Sequence, residues 1–438
     1  MLDYTVADDR IWDSHLLRWD ILGSLGHAEG LRASGLLTVR EHAALRRGLR
    51  EALAAVGRGE LGIEPQHEDV HSAVEFWLTA RLPDAGQRLH TGRSRNDQVT
   101  VDLRLYCKHR ALACQAHALD LAAALLAFAT RHRTALWPGY THQRRAMPSS
   151  GALWAGAYAE GILDTAEQLP ALWRRLDRSP LGSAAGYGVP LPLRREVTAR
   201  ALGFGGLDQM VTTVQNQRGK LEAAVLFWGT QFGHDLSRLA HDVILFTAQE
   251  FGWLVLPPEL ATGSSIMPHK RNPDVFELTR ARAAALDGDL GALMLVRGKL
   301  AGGYHRDFQL LKEPLMRGLD RLEEMLAMCA HAVPLLGVDR ARGRAALDTG
   351  ALATDEVMRR VELGEPFRAA YLDVSARFKR GEALPAPTPR DLARRRSSTG
   401  GLGNPRLDLL RRRLAAARRW TARERRRFDR AMARLAGR

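Results

Sequence analysis

Between residues 101 and 133 the chain has neither a proline nor a glycine, so nothing in that stretch breaks or loosens a helix. Leu105, Leu112, Leu119 and Leu126 recur there every seven residues, and Cys107, Cys114, Leu121 and Phe128 form a second row with the same period. Positions two apart on an α-helix point about 200° apart. The two rows therefore lie on opposite sides of one helix, roughly 45–50 Å long. A helix that is apolar on both sides belongs inside a bundle, not on its surface.

The rest of the chain agrees with that demand. Val225, Phe232, Leu239 and Phe246 keep the seven-residue period in a second predicted long helix, residues 220–251. Further helices are predicted over 151–178, 273–299 and 309–333. Strand-like alternation is hard to find, whereas Ala, Leu and Arg recur at helical spacing. Heptad spacing implies helices that cross nearly aligned. The expected class is all-α, a long central helical bundle flanked by two smaller helical domains. With 438 residues, 45% of them apolar, the chain exceeds one compact domain. The expected division is an N-terminal helical domain over 1–98, the bundle over 99–338 and a C-terminal helical domain over 339–438. Pro385, Pro387 and Pro389 mark 381–389 as a loop in the last of these.

Composition narrows the function classes. No charged-then-apolar leader opens the sequence, and the most apolar run, 121–129, is too short to cross a bilayer. The three cysteines form no CxxC pair and no Cys/His cluster. They are expected to be reduced, buried thiols of a cytoplasmic protein without a structural metal. The net charge of +15 reflects 64 basic against 49 acidic residues, with arginine runs at 394–396 and 425–427. No zinc-finger spacing or RNA-binding aromatic motif accompanies them. They read as solvated helix faces, and neither nucleic acid nor a membrane is expected as a partner.

Four polar, glycine-punctuated runs interrupt the helical background: 90–98 (HTGRSRNDQ), 139–142 (GYTH), 263–274 (GSSIMPHKRNPD) and 303–309 (GYHRDFQ). Each lies at a predicted helix end, where function concentrates. In the third, a Gly-Ser-Ser loop precedes Lys270 and a helix start at Asn272-Pro273, which together favour an anion nearby. In the first, Arg93 and Arg95 flank Ser94, and arginine grips carboxylates through paired bonds. Each run also has a bland reading. Ser94 and Asn272 would serve as helix caps, Arg95 would be in salt bridges, and His142, Tyr304, Gln309 and Lys312 would be ordinary structural residues. Four such runs in one elongated bundle exceed what stability asks for.

These residues carry a family resemblance. The Gly-Ser-Ser-Ile-Met-Pro-x-Lys-x-Asn-Pro-Asp run resembles the signature loop of the fumarase/aspartase superfamily. The run at 90–98 is similar specifically to argininosuccinate lyases, the family that includes the delta crystallins. So are Pro138-Gly-Tyr-Thr-His142, Pro180-Leu-Gly182, Tyr304-x-x-Asp307-x-Gln309, Ala353-Thr-Asp355 and Pro366-Phe-Arg368. The resemblance implies a fumarase/aspartase-like fold and a homotetramer with active sites shared between subunits. It implies cleavage of argininosuccinate to arginine and fumarate by anti β-elimination, without a cofactor. Ser264 is then the catalytic base, His142 the second catalytic group, Glu277 its partner, and Lys270 a stabiliser of the carbanion. Substrate contacts fall to Ser94, Arg95, Asn96, Thr141, Asn272, Tyr304, Gln309 and Lys312. A related lyase acting on another N-substituted aspartate, or a crystallin-like inactive homologue, is the alternative. The chain departs from the family pattern at Asp9, where a serine is usual, at Gln143-Arg144-Arg145, and over residues 209–218 (QMVTTVQNQR). The last departure bears on how the arginine end of the substrate is held.

Overall fold

The computed structural model describes residues 2–6, 8–385 and 387–438. The N-terminal part carries α1 (Leu17–Ala33), α2 (Val39–Gly57) and α3 (Val70–Arg81). The bundle consists of α4 (Arg95–Arg131), α5 (Gly151–Ala166), α6 (Lys220–Thr247), α7 (Asp274–Arg297) and α8 (Lys312–Ala332). Then follow α9 (Thr349–Glu362), α10 (Phe367–Lys379) and α11 (Leu407–Ala436). Among the described residues strands occur only as short pairs, including β1 (Leu136–Thr141) with β2 (Arg144–Ser150) and β3 (Thr262–Gly263) with β4 (Arg271–Asn272). The expected all-α bundle is the observed class.

All eight residues of the two rows on α4 are buried. They are enclosed by α1, α5, α8 and α11, while α6, α7 and α8 pack on one another. By length and composition α4 could cross a membrane; here its apolar sides are taken up by its neighbours. The three cysteines are buried and unpaired. The predicted helix over 151–178 divides into Gly151–Ala166 and Leu169–Leu176, because Pro170 cannot donate a backbone bond and takes the first turn of the second piece. Helices α9 and α10 enclose a small core of Val357, Ala370, Val374 and Leu384. The last helix leaves that core and lies along α4 and α5, where Leu407, Leu410, Leu414 and Phe428 join the main one.

Part of the arginine excess meets carboxylates along this seam. Arg413 reaches Glu160, Asp164 and Glu167, Arg418 meets Asp120 at 2.7 Å, and Arg427 meets Asp177 at 3.1 Å. Asp177 also holds a cation inside the protein. The Lys108 ammonium projects from α4 into the core, 2.6 Å from Asp177 Oδ1 and 4.4 Å from the Phe204 ring. Burial lowers its pKa to about 8, with Asp177 opposing. A buried cation without its partner destabilises by about 3–5 kcal/mol. Asp177→Ala should therefore lower the thermal midpoint substantially, whereas the Lys108→Met, Asp177→Asn pair should lose much less. Equal losses in calorimetry would show that the charge is not what matters there.

Candidate active site

The first turn of α4 organises one end of the bundle. Ser94 caps it: its hydroxyl accepts from Asn96 N at 3.2 Å, and Asp97 Oδ1 accepts from Ser94 N at 3.0 Å. This reciprocal box satisfies helix-start donors that would otherwise be orphaned. Asp97 Oδ2 accepts from the amides of Gly182 and Ala184 at 2.9 and 2.8 Å, which ties residues 181–188 to the helix start. Burial raises the Asp97 carboxyl to about 6.

Beside this turn lies a polar cavity of about 200 Å³ lined by Asp9, Asp13, Glu68, Asp69, His71, Arg95, Asn96, Arg218, Tyr304, Arg306, Gln309 and Lys312. Five residues expected to touch substrate thus meet in one place: Arg95, Asn96, Tyr304, Gln309 and Lys312. Arg95 Nη1 is 3.0 Å from both Glu68 Oε2 and Asp69 Oδ2. Gln309 Nε2 donates to the carbonyls of Thr5 and Val6 at 3.0 and 3.1 Å. Tyr304 stands edge-on to Phe308. Lys312 is buried between Asp13 and Asp9, its Nζ 2.7 Å from Asp9 Oδ1. Burial works against that ammonium, yet Asp13 and Asp9 hold its pKa above the ordinary lysine value. Asp9 moves upward to about 6, chiefly through burial, with Lys312 opposing and Asp13 adding. Asp9 is therefore an additional counter-charge on the cavity lysine.

The other expected residues lie outside this cavity. Thr141 and His142 are exposed near the tip of the β1–β2 hairpin, not at a helix start as the sequence reading implied. His142 (φ 51°) and Gln143 (φ 60°) form the two-residue connection, both in the left-handed region. A hairpin turn of this kind wants that backbone, but Asn and Gly adopt it with least strain. Such strained tips cost on the order of 1–3 kcal/mol per residue and cluster at functional sites. Ser264, Lys270 and Asn272 belong to the loop and strands linking β3 to α7. The Ser264 hydroxyl accepts from the amides of Met267 and Ile266 at 3.1 and 3.4 Å. Glu277 is exposed on the first turn of α7. Among the described residues of one chain, no side-chain bond joins His142, Glu277, Ser264 and Lys270 to one another.

Several cavity residues were not singled out as site residues from sequence. Asp13, Glu68, Asp69 and His71 come from segments read as helix background, although Glu68-Asp69-Val70-His71-Ser72 has the signature of a capped helix start. Asp69 is that cap, accepting from Ser72 N at 2.7 Å. His71 leads to the one trio among the described residues that could share a cation: Asp20, His71 and Asp102, with donor atoms within 4.8 Å of one another. His71 Nδ1 lies 2.7 Å from Asp20 Oδ1, which also accepts from Gln98 at 2.6 Å. Burial and the Asp20 charge push Asp102 well above the usual carboxylate range.

The elongated bundle carries a charged cavity at its helix ends. A family model described as lyase matches residues 4–288. The argininosuccinate lyase of Parabacteroides distasonis is 43% identical over 383 residues, 87% of this chain and 86% of that one. A crystal structure of EDDS lyase in complex with formate superposes with a TM-score of 0.84 at 23% identity, covering 100% of this chain and 94% of the other. A class II fumarase from Schistosoma mansoni shares the fold with a TM-score of 0.70 at 14% identity, over 83% and 87% of the two chains. The chain belongs to this lyase family, in its argininosuccinate lyase branch.

The position of Asp9 has a measurable effect on stability. Its folded pKa of about 6 exceeds the ordinary 3.8, so the native state holds a proton there that the unfolded chain has released. Stability from this group is present at low pH and falls as pH rises through 6. Asp9→Asn, which mimics the protonated form, should melt above the parent at about pH 8, and the gap should close toward about pH 4. Asp9→Asn melting below the parent at about pH 8 would mean that Lys312 pulls this carboxyl down instead.

Proposed function

We propose that the chain cleaves argininosuccinate to arginine and fumarate by anti β-elimination. The observation that carries this reading is the meeting of Arg95, Asn96, Tyr304, Gln309 and Lys312 in one polar cavity, in a chain 43% identical to a named argininosuccinate lyase. The reaction removes a proton from the carbon next to a succinyl carboxylate. The charge then spreads into that carboxylate as an aci-form, and the site must stabilise this added charge more than the ground state. Ser264 takes the proton. The amides of Met267 and Ile266 that point at its oxygen favour negative charge there. Lys270, Asn272 and Ser94 stabilise the aci-carboxylate. Thr141 positions substrate, and His142 with Glu277 delivers a proton to the departing guanidino nitrogen. The substrate's carboxylates and guanidinium supply the electronic handles.

These groups act together when copies of the chain assemble as a cytoplasmic homotetramer with active sites shared between subunits. A stripe on α7 supports this: Leu278, Ala281, Ala285, Gly288, Ala292 and Leu295 recur at alternating three- and four-residue steps. Most of them face solvent, with Leu278 and Leu295 57% and 68% exposed. That is the seam of a coiled-coil-like contact with nothing on it in one chain. Ala292→Glu should leave the helical content intact while light scattering reports smaller species. Unchanged assembly would remove α7 from the interface.

Fumarate release, followed by ultraviolet absorbance, tests the reaction. Ser264→Ala should abolish turnover without unfolding the protein. Lys270→Ala should cost on the order of 10²–10³-fold in kcat, as loss of a charge-stabilising donor does. Asp9 beside Lys312 and the altered 209–218 segment favour a second reading, a lyase for another N-substituted aspartate. Fumarate from such an adduct, and none from argininosuccinate, would select it. A crystallin-like inactive homologue would release fumarate from neither.

A further inference from the structure

The cavity contains one cation that stands apart from the others. Lys312 is matched by Asp9 and Asp13, Arg95 by Glu68 and Asp69, and Arg306 by Glu68 at 3.2 Å. Arg218 is only 4% exposed and lines the same cavity, yet no carboxylate of the cavity wall approaches it. Its one acidic neighbour, Glu222, lies 3.6 Å from Nε and does not line the cavity. Nε and Nη1 are buried without hydrogen-bond partners. The guanidinium is held 5.3 Å over the Phe308 ring, a contact that fixes its plane. A buried donor left unmade is costly, and a fork of donors suits a carboxylate in particular.

Arg218 ends the 209–218 segment that departs from the family pattern. In the same segment, Asn216 Oδ1 accepts from Gly303 N at 2.9 Å, next to Tyr304 of the cavity wall. We propose that Arg218 is a specificity-determining residue that grips the α-carboxylate of the arginine half of the substrate. This rests on the proposed reaction. Lys270 and Asn272, which that reaction assigns to the succinyl end, lie outside the cavity, so the cavity cation is left for the opposite end. The acids around Lys312 stand nearby to receive the ammonium of the same amino-acid headgroup.

The test compares kcat/KM for argininosuccinate with that for the succinyl adduct of agmatine, which lacks only this carboxylate, in the parent, Arg218→Met and Arg218→Lys. The parent should prefer argininosuccinate by about 100-fold, the usual scale for a buried charge pair. Arg218→Met should lose that factor on argininosuccinate alone, so the preference collapses toward unity, and Arg218→Lys should retain part of it. A purely structural role would depress both substrates alike, and a preserved preference in Arg218→Met would overturn the assignment. If that variant does not fold, loss of preference in Arg218→Lys decides in the same way. A parent that makes fumarate from neither adduct overturns the reaction itself, and the assignment with it.

Discussion

Burial of α4 on both of its apolar sides is the constraint from which the architecture follows. A helix of 37 residues with two opposed apolar rows can only be satisfied by neighbours along its whole length. That length is covered jointly by α1, α5, α8 and α11. A bundle packed this way has no room for polar chemistry along its middle. The chemistry-bearing runs are pushed to the helix ends and to the connections between them. The start of α4 is the clearest case: Ser94 and Asp97 cap the helix, and the next two residues, Arg95 and Asn96, face the cavity.

Charge balance is the second organising theme. Lys108 and Lys312 are both nearly inaccessible ammonium groups, and each is held by carboxylates from distant parts of the chain. Desolvation and pairing pull such groups in opposite directions. Lys108, with one close carboxylate, ends below its usual pKa; Lys312, with two, ends above it. The second carboxylate is Asp9, which acts on the cavity's lysine alongside Asp13. Among the described residues, no carboxylate of the cavity wall approaches Arg218, whose ion pair runs to Glu222 at 3.6 Å.

How much of this was legible in sequence depended on whether the signal was local. Heptad rows are local, and they foretold the long helices within a few residues of their ends. The Gly263–Asp274 loop was legible for the same reason, since glycine, paired serines and Asn-Pro punctuate it within twelve residues. The hairpin was not. Its second strand, RRAMPSS, contains Pro148 and does not alternate, and His142-Gln143 carries none of the Asn-Gly chemistry that announces such a turn. The cavity was half legible: Tyr304, Gln309 and Lys312 stood in a recognisable run. Asp13, which meets Lys312 across 299 positions of sequence, could only be found by folding the chain.

The seam along α11 has a consequence for the conditions under which this protein keeps its shape. Besides its buried leucines and Phe428, the final helix is tied by arginines: Arg413 to Glu160 and Asp164 of α5, Arg418 to Asp120 of α4, and Arg427 to Asp177. Guanidinium groups stay charged far beyond the alkalinity at which ammonium groups neutralise. The ionic part of this seam is thus insensitive to base on its cationic side, while the buried leucines and Phe428 hold the helix irrespective of pH.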